Sequence, residues 1–124
     1  MAGVNFPRRG DVYWVDLDPT VGTEIAKTRP CVVISNDTGN EYSARVIIAA
    51  ITSGNTTNIY PFEVLAPNGE GGLTKTSKVV LSQIRTVDKS RLRQRLGALT
   101  AERMRQIDTA IRLSLDVTCE EKGS

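Results

Sequence analysis

The sequence predicts a small, mainly β fold, in which short strands form a small barrel and one helix follows near the C-terminus. The chain has 124 residues, of which 40% are hydrophobic and 24% are charged, and this suits one domain with one core. Short apolar runs bounded by turn-forming residues occupy most of the chain, and their close spacing is typical of a small barrel. Helical periodicity of apolar residues occurs only near the C-terminus.

The predicted strands begin and end at clear turn signals. The first run is rich in β-branched and aromatic residues and stops at Asp18-Pro19, and the second closes at the turn cluster 35–40. The third is apolar throughout, which is typical of a strand covered on both faces. In order, the predicted strands are Asp11–Leu17, Cys31–Ile34, Val46–Ile51, Tyr60–Leu65 and Lys78–Ser82, and Gln83–Val87 is a candidate continuation of the last.

The predicted helix begins near Thr100, a favourable N-cap residue, and presents Met104, Ile107, Ile111 and Leu115 on one face. We expect this amphipathic helix to pack on the sheet. No internal repeat or linker divides the chain. The sequence therefore predicts one domain over residues 1–124, with an N-terminal arm over 1–8 and a flexible tail over 119–124.

The composition excludes several classes of site. The chain has no histidine, so catalysis by histidine and histidine-ligated metal sites are excluded. Cys31 and Cys119 lie far apart and form no paired-cysteine motif, so we expect neither a metal nor a cofactor. The N-terminus carries no apolar leader and no run is long enough to span a membrane, which predicts a cytoplasmic protein without a membrane partner.

Arg29 is the first candidate functional residue. It stands before Pro30 at the entrance to a buried strand, after a polar loop that contains Thr23 and Glu24. A guanidinium binds phosphate through two parallel hydrogen bonds, so this position suits anion recognition. The alternative is a surface arginine that forms an ion pair with Glu24.

Two further segments end strands with polar side chains. Thr52 and Ser53 follow an apolar strand, and their hydroxyls can donate to phosphate oxygens or simply close a local turn. Strand alternation puts Gln83 and Arg85 on one face, where Gln83 could bind a base edge and Arg85 a phosphate. The alternative for this second pair is a solvated face.

The net charge of +2 is too small to indicate a nucleic-acid-binding protein. Its distribution is uneven, because residues 84–112 contain eight basic and three acidic side chains. This basic segment could be solvated surface, or it could bind RNA or an acidic protein. The basic cluster within this segment consists of Lys89, Arg91, Arg93, Arg95, Arg103 and Arg105.

Taken together, these segments resemble the MazF/PemK family of toxin endoribonucleases, the toxin halves of toxin-antitoxin pairs. The similarity extends over nearly the whole chain, and the combination of blocks is highly specific. The blocks are Arg9-Gly-Asp-Val-Tyr-Trp-Val-Asp-Leu-Asp-Pro19, Val21-Gly-Thr-Glu24, Thr28-Arg-Pro30, Val32-Val-Ile-Ser-Asn-Asp37, Ala49-Ala-Ile-Thr52 and Leu81-Ser-Gln-Ile-Arg-Thr-Val-Asp88.

The resemblance implies an SH3-like, PemK-type small barrel that acts as a homodimer. It implies metal-independent, sequence-specific cleavage of single-stranded RNA, commonly mRNA, which leaves a 2′,3′-cyclic phosphate and a 5′-hydroxyl. It further implies inhibition by a cognate antitoxin, for which we expect an acidic, initially disordered segment. The family's catalytic arginine and threonine correspond to Arg29 and Thr52. Its RNA-contacting positions correspond to Thr23, Glu24, Asn36, Ser53 and Gln83.

This chemistry is compatible with a chain that lacks histidine. The ribose 2′-hydroxyl supplies the nucleophile, so the protein has to orient the strand, stabilise the developing charge and manage two protons. We expect Arg29 to stabilise charge, Thr52 to donate a hydrogen bond and Glu24 to be a candidate proton acceptor. Two alternatives remain: a non-catalytic small-barrel binding module, and a toxin of the same fold that acts on DNA topology through a protein partner.

Overall fold

The computed structural model describes residues 5–118, in which six strands form one antiparallel sheet and two helices flank it. The order of strands across the sheet is β4-β5-β3-β2-β1-β6. The strands are β1 (Asp11–Asp16), β2 (Thr28–Val33), β3 (Arg45–Thr52), β4 (Glu63–Ala66), β5 (Ser77–Asp88) and β6 (Leu92–Ala98), and the helices are α1 (Asp37–Tyr42) and α2 (Ala101–Leu115).

The mainly β class with a C-terminal helix is confirmed. The sheet does not close into a barrel by strand pairing, because β4 and β6 form its two edges within residues 5–118. Helix α2 begins where the sequence predicted, since the Thr100 hydroxyl accepts a hydrogen bond from the Arg103 N–H at 3.1 Å. The predicted arm is described only from Asn5 onward, and the predicted tail over 119–124 lies outside the described residues.

Two elements differ from the prediction. The turn cluster 35–40 contains the start of helix α1, and Asn36 is its N-cap, accepting a hydrogen bond from the Gly39 N–H at 2.7 Å. The same short polar side chains favour turns and helix N-termini, so the sequence pattern does not separate the two. Strand β6 was not predicted, because its arginines and glutamine hide the apolar alternation of an edge strand.

Apolar side chains cover both faces of the sheet. On one, here called the helix face, Val32, Ala49 and Ile51 pack with Leu81 and with Ile107 of α2. On the other, here called the loop face, the cluster comprises Val15, Leu17, Cys31, Val33, Val46, Ile48, Ala50 and Val87, with Ile25 of the β1–β2 loop packed against it. Side chains at alternate strand positions therefore separate into two buried groups.

Several arginines of the predicted basic cluster are bound within the fold. Arg93 contacts Asp16 at 3.3 Å, Arg95 contacts Asp11 at 3.0 Å and Arg103 contacts Glu70 at 3.0 Å. These pairs join β6 to β1, and α2 to the turn that precedes β5. Much of the basic excess in the second half of the chain is thus neutralised internally.

Neither helix of residues 5–118 has the length and apolarity that crossing a membrane requires.

Candidate active site

Arg29 and Thr52 lie on neighbouring strands at the same end of the sheet. Strands β2 and β3 pair with Cys31 opposite Ala50, and the same register extended by two residues puts Arg29 opposite Thr52. Alternation places both residues on the loop face, with backbones about 5 Å apart as in any antiparallel pair. Lys78 of β5 is the partner of Thr52 on the other side. The three residues therefore form a row across the end of the sheet.

Arg29 keeps most of its hydrogen-bonding capacity. Its Nε–H donates to the Ala26 carbonyl at 3.0 Å, and none of the five ion pairs recorded within residues 5–118 involves it. The alternative of an ion pair with Glu24 is therefore wrong. The side chain is exposed and lines a cavity of about 360 Å³ together with Ser53 and Lys75. A phosphate could enter this cavity and meet the guanidinium directly.

The Thr52 hydroxyl has the local role that the alternative interpretation proposed. Its Oγ1 accepts a hydrogen bond from the Gly54 N–H at 3.1 Å, which closes the turn after β3. The O–H group can still donate, because a hydroxyl has one donor in addition to its acceptor lone pairs. Thr52 is half-buried, whereas Ser53 is exposed. Turn formation and donation to an RNA phosphate are thus compatible.

Gln83 and Arg85 are half-buried rather than solvated, and they hold the β1–β2 loop against the sheet. Arg85 Nη1 donates to the Leu17 carbonyl at 2.6 Å, and Gln83 Oε1 accepts from the Ile25 N–H at 3.4 Å. Both line a second cavity, of about 420 Å³, with Glu24. Ala50 also lines it, so this cavity lies on the loop face, whereas the cavity that Arg29 lines includes Leu73 and Leu96, which pack with the helix-face cluster. The solvated-face alternative is wrong.

Glu24 closes the β1–β2 loop on itself. Its Oε1 accepts a hydrogen bond from the Val21 N–H at 2.7 Å, and its own N–H donates to the Val21 carbonyl at 3.2 Å. The side chain remains exposed beside the second cavity, where its other oxygen can accept a proton or a hydrogen bond. Thr23, its neighbour, is exposed in the same loop.

Asn36 is not brought together with the other candidates. It follows the opposite end of β2 from Arg29, and the four strand steps from Arg29 to Val33 alone span about 13 Å. Its Oδ1 caps helix α1, which gives the residue a structural role.

Sequence reasoning missed the ion pair between Lys78 and Glu63. The Lys78 Nζ lies 2.9 Å from Glu63 Oε1, and both side chains are almost fully buried. The signal was present, because a lysine that begins the apolar run Lys78–Leu81 is unusual and buried lysines are nearly always paired. This pair lies directly beside Thr52.

Cys31 lies on the loop face next to the candidate site. Burial raises the pKa of its thiol to about 12, against weaker effects of a backbone hydrogen bond from Ile51 and of the charge of Arg85. The group therefore stays a thiol at physiological pH, and a thiol is a poor nucleophile. Among residues 5–118 there is no group of three or more Cys, Asp or Glu side chains that could hold a metal ion.

Comparison with known proteins gives consistent results. Residues 8–115 match the profile of a family described as PemK-like, MazF-like toxin of type II toxin-antitoxin system. The chain is 46% identical over 108 residues to an endoribonuclease MazF of Staphylococcus epidermidis, which covers 87% of this chain and 90% of that protein. A solved mycobacterial endoribonuclease has a similar fold, with a TM-score of 0.77, 28% identity, and coverage of 94% of this chain and 97% of that one.

A second solved structure is an endoribonuclease in complex with its cognate antitoxin, also from a mycobacterial species. It is similar to this chain with a TM-score of 0.76 and 28% identity, and the similarity covers 92% of this chain and 99% of that one. The family match over residues 8–115 includes the strands that carry Arg29 and Thr52.

Proposed function

This chain belongs to the PemK-like, MazF-like toxin family of type II toxin-antitoxin systems and is an endoribonuclease, and we propose that it cleaves single-stranded RNA by attack of a ribose 2′-hydroxyl on the adjacent phosphate. One observation carries the proposal. Within residues 5–118, an arginine without an ion pair lines a cavity that can admit a phosphate, and a half-buried threonine occupies the adjacent position on the neighbouring strand.

In this reaction the 2′-oxygen forms a bond to phosphorus and the bond from phosphorus to the 5′-oxygen breaks. The 2′-hydroxyl loses one proton and the departing 5′-oxygen gains one, so the products are a 2′,3′-cyclic phosphate and a 5′-hydroxyl with no net consumption of water or protons. Charge accumulates on the non-bridging oxygens in the transition state, and donors aimed at these oxygens lower the barrier. Arg29 and Thr52 supply those donors. Arg29 acts through charge rather than as a base, because a guanidinium does not lose its proton in proteins.

Glu24 is the proposed acceptor of the 2′-hydroxyl proton. Its carboxylate is exposed beside the cavity that Gln83 and Arg85 line, and one of its oxygens has no partner among residues 5–118. Glu24→Gln keeps an oxygen that accepts from the Val21 N–H and removes the base. A loss of kcat in Glu24→Gln that matches Glu24→Ala supports proton acceptance, whereas wild-type kcat in Glu24→Gln would leave Glu24 with only its structural role.

The remaining candidate residues are proposed to bind the RNA strand. Ser53 lies in the same cavity as Arg29, while Gln83 and Arg85 hold the loop that carries Thr23 and Glu24. We further propose a homodimer that acts on mRNA in the cytoplasm, over one domain spanning residues 1–124. A cognate antitoxin with an acidic disordered segment is proposed to inhibit it, and a similar mycobacterial endoribonuclease has been solved with its antitoxin.

The proposal is tested by incubating the purified chain with mRNA and mapping the cut sites and end groups. We expect cuts within a short sequence motif, with 2′,3′-cyclic phosphate and 5′-hydroxyl ends. Cleavage should persist in excess EDTA, because the chain has no histidine ligand. Activity that EDTA removes and Mg²⁺ restores would contradict the mechanism. RNA binding without cleavage would indicate a non-catalytic binding module. An effect confined to DNA topology would indicate a toxin of the same fold that acts through a protein partner.

A further inference from the structure

The most buried ion pair of residues 5–118 lies beside the candidate catalytic threonine. The Lys78 and Glu63 side chains are only 5% and 7% exposed, whereas the other four pairs each include a side chain at least 21% exposed. Lys78 is the cross-strand neighbour of Thr52 on β5, and Glu63 begins the edge strand β4. Both side chains lie on the loop face by alternation.

The ion pair also holds the segment 53–62, which joins β3 to β4. The Lys78 Nζ donates to the Asn58 carbonyl at 3.2 Å, and Glu63 Oε1 accepts from the Tyr60 N–H at 3.1 Å. The Glu63 N–H donates to the Tyr60 carbonyl at 2.8 Å. The Lys78 ammonium lies 5.8 Å from the centre of the Tyr60 ring. One ion pair therefore contacts two residues of the segment through their backbones.

The segment 53–62 has one further backbone contact with the sheet, because the Leu81 N–H donates to the Phe62 carbonyl at 3.0 Å. Most of its side chains are exposed, and it contains no strand or helix. At its start, the Gly54 N–H donates to Thr52 Oγ1, and at its end Lys78 and Glu63 bind Asn58 and Tyr60. Ser53, which lies within the first anchor, lines the cavity of Arg29. The position of the segment thus depends on groups at both ends.

Stability alone does not account for a buried charge pair at this position. Removing two charges from water is costly, and apolar residues of similar size often support a fold equally well. An apolar pair, however, could not bind the Asn58 carbonyl and the Tyr60 N–H. The distinctive property of Lys78 and Glu63 is therefore that they orient the backbone of the segment.

We propose that Lys78 and Glu63 are positioning residues for RNA cleavage, which hold segment 53–62 so that Thr52 and Ser53 meet the RNA phosphate beside Arg29. This inference rests on the proposed function. Lys78 does not bind RNA itself, because its ammonium is buried and already donates to Glu63 and Asn58.

The test uses the double variant Lys78→Met/Glu63→Met, which leaves no unpaired buried charge. The single variant Lys78→Met leaves Glu63 buried without a partner and is expected to be less stable than the double variant. Asp108→Asn is the control, since it removes another partly buried ion pair, with Arg9, and neither of these residues lines either cavity of the candidate site. The substrate is an RNA oligonucleotide that contains a cut site mapped with the wild-type chain.

We expect the double variant to fold with a Tm near that of the wild type and to show faster amide hydrogen exchange in segment 53–62. Its kcat/KM should fall at least tenfold, while Asp108→Asn retains the wild-type kcat/KM. The slope of log RNA affinity against log salt concentration should equal that of the wild type. A lysine that binds phosphate contributes about 0.7 to that slope on a single strand, so its loss would be measurable.

Two results would overturn the inference while leaving the proposed function intact. One is a folded double variant with wild-type kcat/KM. The other is a reduced salt slope, which would show that Lys78 binds phosphate directly. A wild-type chain that fails to cleave RNA under any condition is a separate outcome, because it would overturn the proposed function and the inference with it.

Discussion

Arg29 differs from most arginines of the sheet in what its guanidinium contacts. Arg93 and Arg95 of β6 pair with carboxylates of β1, and Arg85 binds a backbone carbonyl of the β1–β2 loop. Arg29 donates only its Nε–H, to Ala26, within residues 5–118. An arginine that the fold leaves available can bind an incoming phosphate without breaking an existing contact.

Arg29→Ala and Thr52→Ala are each expected to lower kcat by about a hundredfold or more, because each removes a donor to the charge that develops on phosphate. Arg29→Lys should also be strongly impaired, since an ammonium lacks the planar two-bond geometry of a guanidinium. Single-turnover cleavage of an RNA oligonucleotide measures the effect.

Thr52→Ser is the matched control for the threonine, because it keeps the hydroxyl that donates and that accepts from the Gly54 N–H. It should retain much of the wild-type activity. The free energy of unfolding of Arg29→Ala, measured by thermal unfolding, should match that of the wild type within about 0.5 kcal/mol, since the side chain is exposed. Wild-type cleavage by Arg29→Ala would contradict the site assignment.

At the scale of elements, the turn before β5 packs tightly against the edge strand β6. Gly72 has a φ of +78°, and a Cβ at this residue would lie 2.2 Å from the Leu96 carbonyl oxygen. Gly72 also lines the cavity of Arg29. A side chain here would be strained by the backbone conformation and would displace β6 from the turn.

Gly72→Ala is expected to destabilise the protein by at least about 2 kcal/mol more than Gly69→Ala. Gly69 is the matched control, because it also has a positive φ, of +97°, but a Cβ there meets nothing within 4 Å. Gly69→Ala should cost only about 1 kcal/mol, from the backbone conformation. Urea unfolding measures both variants. Equal urea midpoints for Gly72→Ala and Gly69→Ala would show that β6 can move away from residue 72 without a loss of stability.

The ion pair between Arg103 and Glu70 joins α2 to the same turn. Hydrogen bonding from Arg103 is the main cause that lowers the pKa of Glu70 below its ordinary value of 4.5. A carboxylate with a lowered pKa in the folded state stabilises the protein fully above its unfolded pKa, and that contribution is lost as the pH falls through the folded pKa.

Arg103→Gln should therefore lower the free energy of unfolding by about 1 kcal/mol at pH 7, with a difference from the wild type that shrinks as the pH falls below 4.5. Urea unfolding across this pH range measures the difference. Arg93→Gln removes a more exposed pair, with Asp16, and should cost less at every pH. A difference for Arg103→Gln that is constant with pH would contradict the linkage to Glu70.

At the scale of the whole molecule, the basic excess of the second half does not form one positive surface. Arg93, Arg95 and Arg103 are paired with carboxylates. Arg29, which forms no ion pair with any of residues 5–118, and the exposed Lys75 line one cavity at the end of the sheet. An acidic segment of an antitoxin would find there the positive charge that the RNA phosphate also requires, so we expect the two to compete.

Arg29→Ala should bind a cognate antitoxin at least about tenfold more weakly than the wild type, because one charged hydrogen bond contributes more than about 1.4 kcal/mol. Binding of the wild type should also weaken as salt rises, since salt screens exposed charges. Fluorescence titration measures both effects. Arg112→Gln, on the exposed end of α2, is the control that should leave affinity unchanged. Unchanged affinity in Arg29→Ala would place the acidic segment elsewhere.

The sequence by itself determined the strands β1, β2 and β3, the start of α2 at Thr100 and the candidate pair Arg29 and Thr52. Apolar runs, turn residues and helix caps are local patterns, so they can be recognised without knowledge of the rest of the chain. The mainly β class followed from the same patterns. The edge strand β6 escaped prediction because an edge strand buries little, and its sequence resembles solvated surface.

Only the tertiary structure decided which side chains meet at the site. It put Lys78 beside Thr52, left Arg29 without an ion pair to Glu24 and separated Asn36 from both. These relations depend on the pairing register of strands that are distant in sequence, and a shift of one residue would send every side chain of a strand to the other face. Register is set by the burial of whole strands in two apolar clusters, which no local pattern specifies.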